Sequence, residues 1–392
     1  MKRSLIILLL LTAILASFAQ VDPTQYLQEI ELNNTELKAL RHQVEALKFK
    51  NRSGIYPDNP ELEFGHLWSN PDELGIRTDF SVSQSFEFPT VYRHRSKIAH
   101  SKNEQAELEY QKKRKAILHE ANLLIIDLIY TNAVQDELNR RIEHAGSIAQ
   151  SVSAEFEVGE TTILAFNKAK LNLLHISKEQ SCNQINREAI IAELDALNSG
   201  VRLEIEASTF LASSIPLSFE DWYKDREMDN PELNWLNVET GIADKELKLS
   251  RAMSAPGLKA GFMSEKVAGE QFQGLTLGVT VPLWANKNRI RQARAKIDAI
   301  ESLNQDRKSH YYLQLKASHS KAVAMQTTVE DYRTQLRTYD NTEYLIKALE
   351  AGEITLIEYI MELSIYNQSI DLLMTMERDK QKEIAEFNRF NL

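Results

Sequence analysis

The sequence predicts a mostly α-helical protein with a small β part, built from two similar halves. Three observations lead to this prediction. Residues of the first half recur about 196 positions later, so that Asn34 and Glu36 reappear as Asn230 and Glu232. Two long stretches contain no proline, and two shorter stretches alternate apolar and polar residues with a period of two. A spacing this long indicates a duplicated structural half rather than a solenoid repeat.

The first 19 residues are typical of a secretory signal peptide. Lys2 and Arg3 precede a short apolar run, and Ser17-Phe18-Ala19 forms a small-x-small cleavage site. The run is too short to span a bilayer comfortably, which favours cleavage over an uncleaved anchor. Without this segment the chain has 44 basic and 56 acidic residues, a net charge of −12. This charge argues against nucleic acid as a partner.

Long helices are predicted where proline is absent. All nine prolines lie outside residues 90–215 and 283–392, and both stretches are rich in strong helix formers. One glycine near the middle of each stretch, Gly159 or Gly352, predicts a turn, because glycine readily takes the positive φ that ends a helix. Each half therefore contains an antiparallel helical hairpin. A helix over 90–156 would be roughly 100 Å long, so a coiled-coil rod is the alternative.

Two strands are predicted between the first helix of each half and its helical hairpin. The apolar residues of each strand fall on one face, and charged or small polar residues fall on the other. The apolar face is assigned to Leu62, Phe64, Trp68, Phe80, Val82 and Phe86 in the first half and to Leu275, Leu277, Val279 and Val281 in the second. Four strands cannot close a transmembrane barrel, so a lipid-facing sheet must be shared between several chains. A sheet packed on a helix in a soluble protein is the competing interpretation.

The expected domain organisation follows the repeat. Residues 1–19 are the signal peptide, 20–215 the first structural repeat and 216–392 the second. The first repeat contains a helix, a β-hairpin at 61–88 and a helical hairpin at 90–200. The second contains a helix, a β-hairpin at 257–284 and a helical hairpin at 286–390.

This twice-repeated order of helix, β-hairpin and helical hairpin resembles the TolC-like outer-membrane efflux proteins. Each half also opens with an Asn-(Pro)-Glu-Leu pattern and turns at an apolar-Gly-x-x-[Ser/Thr] motif. The resemblance implies a homotrimer in the outer membrane, with twelve strands in one shared β-barrel and the helices forming an α-barrel in the periplasm. It also implies two partners, a periplasmic adaptor (membrane fusion protein) and an inner-membrane pump of the resistance-nodulation-division type.

The resemblance further implies two kinds of site at the periplasmic end. The adaptor would contact the two turns, formed by Val158, Gly159, Glu160 and Thr161 and by Ala351, Gly352, Glu353 and Ile354. A gate of carboxylates from three chains is expected shortly after the second turn. Glu358 matches the first acidic position of the family, whereas the second matches Met361 and only the neighbouring Glu362 is acidic. A solvated helix face is the alternative for Glu358.

The cargo is expected to be metal cations. The segments 59–64 and 85–89, the latter leading into Arg93-His94-Arg95, are similar to outer-membrane members of heavy-metal efflux systems. Drug-like small molecules remain an alternative, as does a periplasmic coiled-coil adaptor or scaffold without a membrane-embedded part. No metal-ligand spacing, cofactor motif or catalytic motif is found, and Cys182 is the single cysteine, so no cofactor, resident metal or enzymatic activity is expected.

Overall fold

The computed structural model describes residues 23–69, 75–212, 214–227, 230–284 and 286–389. The predicted signal peptide and the turn 70–74 lie outside the described residues. The helices are α1 (Pro23–Asn33), α2 (Thr35–Arg52), α3 (Pro89–Glu157), α4 (Ile163–Leu197), α5 (Phe219–Arg226), α6 (Pro231–Ala252), α7 (Arg289–Thr338), α8 (Thr342–Glu350) and α9 (Leu356–Phe387). The strands are β1 (Glu61–Trp68), β2 (Ile76–Phe86), β3 (Gly257–Val267) and β4 (Glu270–Thr280). The prediction of a mostly helical chain with four strands is confirmed.

The chain divides into two compact units, each assembled from separate segments. The helical unit contains the described residues up to Leu37 together with Arg114–Tyr223 and the chain from Leu313 onward. The sheet unit contains Lys38–Lys113 and Lys224–Tyr312. Each unit therefore draws on both halves of the sequence.

The main core of the helical unit forms around the apolar stripe of α3. Leu118, Ala121, Ile125 and Leu128 are at most 2% exposed and pack with residues of α1 and α4. An extended segment after α4 completes this core. Its buried residues Leu203, Ile205 and Ala207 alternate with exposed charged residues, and the Asn132 amide donates to the carbonyls of Ile205 and Ala207, at 3.0 Å each. No element was predicted for this segment.

Helix α3 has a stretch that is long and apolar enough, by composition alone, to cross a membrane. Half of that stretch is buried inside the protein. The apolar residues Ile125 and Leu128 belong to the core described above. The stretch is therefore explained as the central helix of the helical unit.

The second long helical stretch contains a break that the sequence analysis did not predict. A single interruption was expected there, at Gly352. In the structure α7 already ends at Thr338, and the short helix α8 begins at Thr342. The Asp340 carboxylate accepts hydrogen bonds from the Thr342 backbone N–H, at 3.0 Å, and from its hydroxyl, at 2.6 Å. This local pairing is the kind that competes with helical hydrogen bonding.

The four strands of the sheet unit form one antiparallel sheet in the order β1-β2-β3-β4. Its register aligns side chains of the same character across the sheet. One row runs from Leu62 through Val82 and Phe262 to Leu275, and the next runs from Phe86 through Leu258 to Val279. The strands are shorter than the predicted β-hairpins, since they end at Phe86 and Thr280. Val281, predicted within the last strand, lies one residue beyond it.

Candidate functional site

One face of the sheet carries most of its exposed apolar side chains. Leu275 and Leu277 are 86% and 87% exposed, and Leu62, Phe64 and Trp68 are each more than two-thirds exposed. Phe80, Phe86 and Val279 on the same face are also exposed, whereas Val82, in the middle of the sheet, is intermediate. A large apolar side chain left in water forgoes about 1.5–3 kcal/mol of burial free energy. A contiguous face of this kind indicates a surface that meets an apolar environment.

The opposite face of the sheet is polar and charged. Lys259 on β3 reaches across β2 to Glu61 on β1, at 3.2 Å, and Arg77 lies 3.1 Å from Glu265 on the neighbouring strand. Ser81, Ser83 and Ser85 on β2 share this face, because they alternate with the apolar residues of the same strand. The sheet thus has one apolar face and one polar face.

Two edges of this sheet lack a neighbouring strand among the described residues. Strand β1 pairs only with β2, and β4 pairs only with β3. Edges this long present a row of backbone donors and acceptors that pair readily with another chain. Because β1 and β4 are antiparallel in the order of the sheet, the β1 of a second copy could continue the antiparallel pattern beside β4.

The two predicted turns of the helical unit have the same backbone geometry. Gly159 and Gly352 both take a positive φ, 78° and 74°. The following N–H reaches back five residues in each case, from Glu160 to the Glu155 carbonyl at 2.8 Å and from Glu353 to the Ala348 carbonyl at 2.9 Å. This is the Schellman arrangement that ends a helix at glycine. Both glycines are exposed, and no atom lies within 4 Å of the position that a Cβ would occupy.

The residues around the turns are mostly exposed, as a contact surface requires. Val158 is 70% exposed, and Glu160, Ala351 and Glu353 are exposed as well, whereas Thr161 and Ile354 are partly covered. The first turn is backed by stacked rings of Phe156 and Phe166, whose centroids lie 4.9 Å apart. The apolar surface continues on the next helix at Leu164, which is 70% exposed.

Glu358, a predicted gate residue, takes part in a capping box at the start of α9. Its backbone N–H donates to the Thr355 hydroxyl, at 3.2 Å, while its carboxylate accepts from the Thr355 backbone N–H at 2.8 Å. The Thr355 hydroxyl also lies 2.8 Å from the same carboxylate. The backbone N–H of Thr355, and then its hydroxyl, hold the pKa of Glu358 below its usual value.

Glu362, the other predicted gate residue, is exposed one turn further along α9. It lines a cavity of about 320 Å³ that also includes Tyr332, Tyr339 and Tyr366. The structure places Glu358 and Glu362 on the same helix, four residues apart.

A polar network that the sequence analysis missed fastens α9 to α3. The Arg141 guanidinium is buried and donates to Asp371 on α9, at 2.8 and 3.1 Å, and to Glu137 on its own helix, at 2.9 Å. One turn along α3, His144 Nε2 lies 3.0 Å from the Tyr359 hydroxyl. The pKa of Arg141 is raised, because the hydrogen bonds and charges of Asp371 and Glu137 outweigh the loss of hydration on burial. No local sequence signal pairs Arg141 with Asp371, since they are 230 positions apart.

The described residues contain no group of three or more His, Cys, Asp or Glu side chains arranged to hold a metal ion. Cys182 is an exposed free thiol.

Comparison with known proteins gives matches to solved structures alone. No family model matches the sequence, and no curated protein matches it. The outer membrane channel CmeC of Campylobacter jejuni matches with a TM-score of 0.76 at 13% identity, covering 95% of this chain and 86% of CmeC. The transmembrane channel CusC matches with a TM-score of 0.77 at 10% identity, covering 94% of this chain and 91% of CusC. The chain has the fold of the TolC-like outer-membrane channels.

The open-state MtrE outer membrane channel of Neisseria gonorrhoeae shares this TolC-like fold, with a TM-score of 0.75 at 11% identity over 93% of this chain and 88% of MtrE. The matches span nearly the whole described chain, so the TolC-like fold includes both the sheet and the helical hairpins. At identities of 10–13%, this structural similarity establishes the fold alone.

Proposed function

We propose that this protein is the outer-membrane exit duct of a tripartite efflux pump and conducts cargo passively, without catalysis. The observation that carries the proposal is the sheet: one apolar face, one polar face and two unpaired edges in a chain with a TolC-like fold. Three copies would close a barrel of twelve strands with the apolar face toward outer-membrane lipid and the polar face toward the lumen. The helical hairpins would extend into the periplasm. We also propose that the chain consists of two structural repeats, 20–215 and 216–392.

The two glycine turns are proposed as the contact surface for a periplasmic adaptor, which in turn would join an inner-membrane pump. Both turns are exposed and are built alike, so that each copy offers two similar ends.

Glu358 and Glu362 are proposed to face the lumen near these ends. Carboxylates from three copies would form a constriction that attracts cations, which supports metal cations as the cargo class, with drug-like molecules as the alternative.

Cross-linking of the sheet edges tests the assembly. In a Cys182→Ser background, Glu63→Cys on β1 and Thr276→Cys on β4 place thiols on the polar face of the two edges. We expect oxidation of the outer-membrane fraction to give covalent dimers and trimers. The pair Leu62→Cys with Thr276→Cys is the matched control, because its thiols point to opposite faces and cannot meet disulfide geometry. A monomer that is released by osmotic shock and gives no cross-link would contradict the proposal and support a periplasmic scaffold.

Single-channel recording tests the duct and its gate. The purified protein should form trimers in detergent and conduct in planar bilayers. Glu362→Gln should raise conductance and weaken cation preference, because it removes charge without disturbing the capping box.

The cargo class is tested in cells that lack the gene. Loss of resistance to metal salts would support metal cations as the cargo, and loss of resistance to drug-like compounds would support small molecules.

A further inference from the structure

A cavity of about 440 Å³ lies within the helical unit, away from the turns and the proposed gate. The extended segment 208–212 forms one wall, and α3, α7 and α9 form the others. The lining is divided by character. Ser208, Thr209 and Gln326 contribute polar groups, whereas Phe210, Met374 and Ile384 contribute an apolar surface.

Lys380 is the cation in this lining that lacks a counter-ion. Within the part of the chain that the structure describes, no carboxylate oxygen lies within 4 Å of its ammonium group. Its neighbour Arg333 pairs with Glu377, since Nε and Nη2 of its guanidinium both donate to Glu377 Oε1. Glu330 is exposed, and its carboxylate accepts from the Gln326 amide at 3.2 Å. A partly buried charge gains stability from an ion-pair partner, so the Lys380 ammonium is the group of this lining that is available to pair with an added anion.

Two other lysines of the helical unit have a carboxylate as an ion-pair partner. Lys382, two residues along α9, lies 2.7 Å from the Asp127 carboxylate. Lys321 pairs with Glu383, which raises its pKa. For Lys380 the direction is the opposite: loss of hydration on burial lowers its pKa, and the charge of Arg333 adds to this effect against the attraction of Glu377 and Glu330.

We propose that this cavity binds a small organic anion, with a carboxylate that pairs with the Lys380 ammonium and an apolar body that contacts Phe210 and Ile384. Ser208 and Thr209 line the same cavity, and their hydroxyls would be the donors for the second carboxylate oxygen. The volume is sufficient for a molecule the size of a monocyclic aromatic acid, given that a water molecule takes about 30 Å³ in the liquid. The proposal does not depend on the channel assignment, because the residues that line the cavity all belong to one chain.

Benzoate is a suitable probe, and benzamide is its neutral isostere. In the purified full-length protein we expect saturable benzoate binding by calorimetry, no binding of benzamide, and at least tenfold weaker benzoate binding in Lys380→Met. Lys178→Met, at an exposed lysine of α4, is the matched control and should bind like the unaltered protein. Lys380→Arg keeps the charge and should retain binding if Lys380→Met fails to fold.

A second measurement reports on Lys380 directly. Reductive methylation with labelled formaldehyde allows its pKa to be followed by NMR in the unaltered protein, and benzoate should raise that pKa, because an anion stabilises the charged amine. Equal benzoate affinity in Lys380→Met, equal binding of benzamide, or no saturable binding would each overturn the proposal. The proposal would also be overturned if an acidic side chain from a second copy pairs with Lys380. In that case Lys380→Met would lose its trimers, and the unaltered protein would not bind benzoate.

Discussion

The two helical hairpins end in the same turn but are supported differently. In the first, α3 continues without interruption to Glu157, and Ala149 and Val152 near its end are buried against Ala169 of α4. In the second, the chain breaks after Thr338, and the nine residues of α8 include no buried side chain. The turn geometry is thus a local property of the glycine, whereas the stiffness of the segment that carries it comes from packing.

The two arms of the second hairpin also differ from each other. Helix α9 is fastened to the first hairpin by Arg141 and Tyr359, and its residue Leu356 packs on Ala149 and Val152. Helix α8 packs on α9. We therefore expect α8, together with the turn at Gly352, to be the part of the helical unit that opens most easily. Four predictions test this difference.

The largest effect is expected for Arg141→Met, which removes the contact between α3 and α9. Asp371 would lose the cation that pairs with it, whereas Glu137 would keep its ion pair with Arg140. Breaking a buried pair costs about 3–5 kcal/mol, and because Asp371 is half exposed we expect about 2 kcal/mol. Chemical denaturation in detergent measures this loss. Arg140→Met is the matched control: Arg140 is 75% exposed and pairs with Glu137 on its own helix, so its loss leaves the contact between Arg141 and Asp371 intact. Equal destabilisation by both variants would show that the network does not fasten the two hairpins.

Substitution of the two turn glycines should have a different effect on the stability of each hairpin. Alanine at a positive φ costs about 1 kcal/mol wherever it stands. Gly159→Ala should lower the free energy of global unfolding by about this amount, because the helices on either side of the first turn pack on each other through Ala149, Val152 and Ala169. Gly352→Ala should instead appear as faster hydrogen exchange in α8, with a smaller change in global stability. The same global loss in both variants would mean that α8 unfolds together with the rest of the unit.

The sequence was sufficient where one residue type decides the local structure. Gly159 and Gly352 were predicted as turns because glycine tolerates positive φ, and both take it. The strands were predicted from alternation alone, and their cross-strand rows follow from the same period. The roles of the turn residues and of Glu358 and Glu362 stay predictions, since they depend on other chains.

The sequence was insufficient where tertiary contacts decide the structure. The break after Thr338 is an exception, since its signal is local and was overlooked: Asp340, Asn341 and Thr342 are weak helix formers that favour helix N-caps, and Asp340 accepts hydrogen bonds from Thr342. The extended segment with Leu203 and Ile205 alternates like a strand but is held by Asn132, more than 70 positions earlier. Pairings at such separations cannot be deduced from periodicity, which reports only on neighbours along the chain.

The capping box of α9 makes the second hairpin sensitive to acid. The pKa of Glu358 is lowered by hydrogen bonds from Thr355, so the stabilisation is fully present above the ordinary value near 4.5 and is lost as the pH falls through the lower, folded-state value. We expect the start of α9 to exchange faster below this pH. Thr355→Val should weaken the dependence, because it removes the hydroxyl but keeps the backbone N–H that donates to the carboxylate, and Glu358→Gln should abolish it. The first hairpin should show no such effect, because Thr162 caps α4 by accepting from Ala165 alone.

Assembly would reverse the direction of this shift. Three Glu358 carboxylates brought close together in a trimer would raise one another's pKa. An NMR titration of Glu358 in monomeric and trimeric protein therefore distinguishes a cap from a gate. A pKa that is lowered in both states would leave Glu362 as the acidic residue of the proposed constriction.

The smallest effect is expected for Tyr366→Phe, which removes a hydrogen bond at the break between α7 and α8. The Tyr366 hydroxyl on α9 bonds the Asp340 carboxylate, and burial followed by this contact raises the pKa of Tyr366 to about 12. A hydrogen bond to a partly exposed carboxylate contributes about 1 kcal/mol, so global stability should change by less than that. Hydrogen exchange in α8 should nevertheless accelerate, while α3 and α4 stay unchanged.

Tyr344→Phe, on the exposed face of α8, is the control for this measurement, because its side chain is 71% exposed. If Tyr366→Phe leaves α8 as protected as Tyr344→Phe does, the hydroxyl does not hold the break. In that case the loose attachment of α8 would follow from its lack of buried side chains alone. A larger apolar side chain on its partly buried face, as in Ala348→Leu, should then slow hydrogen exchange in α8.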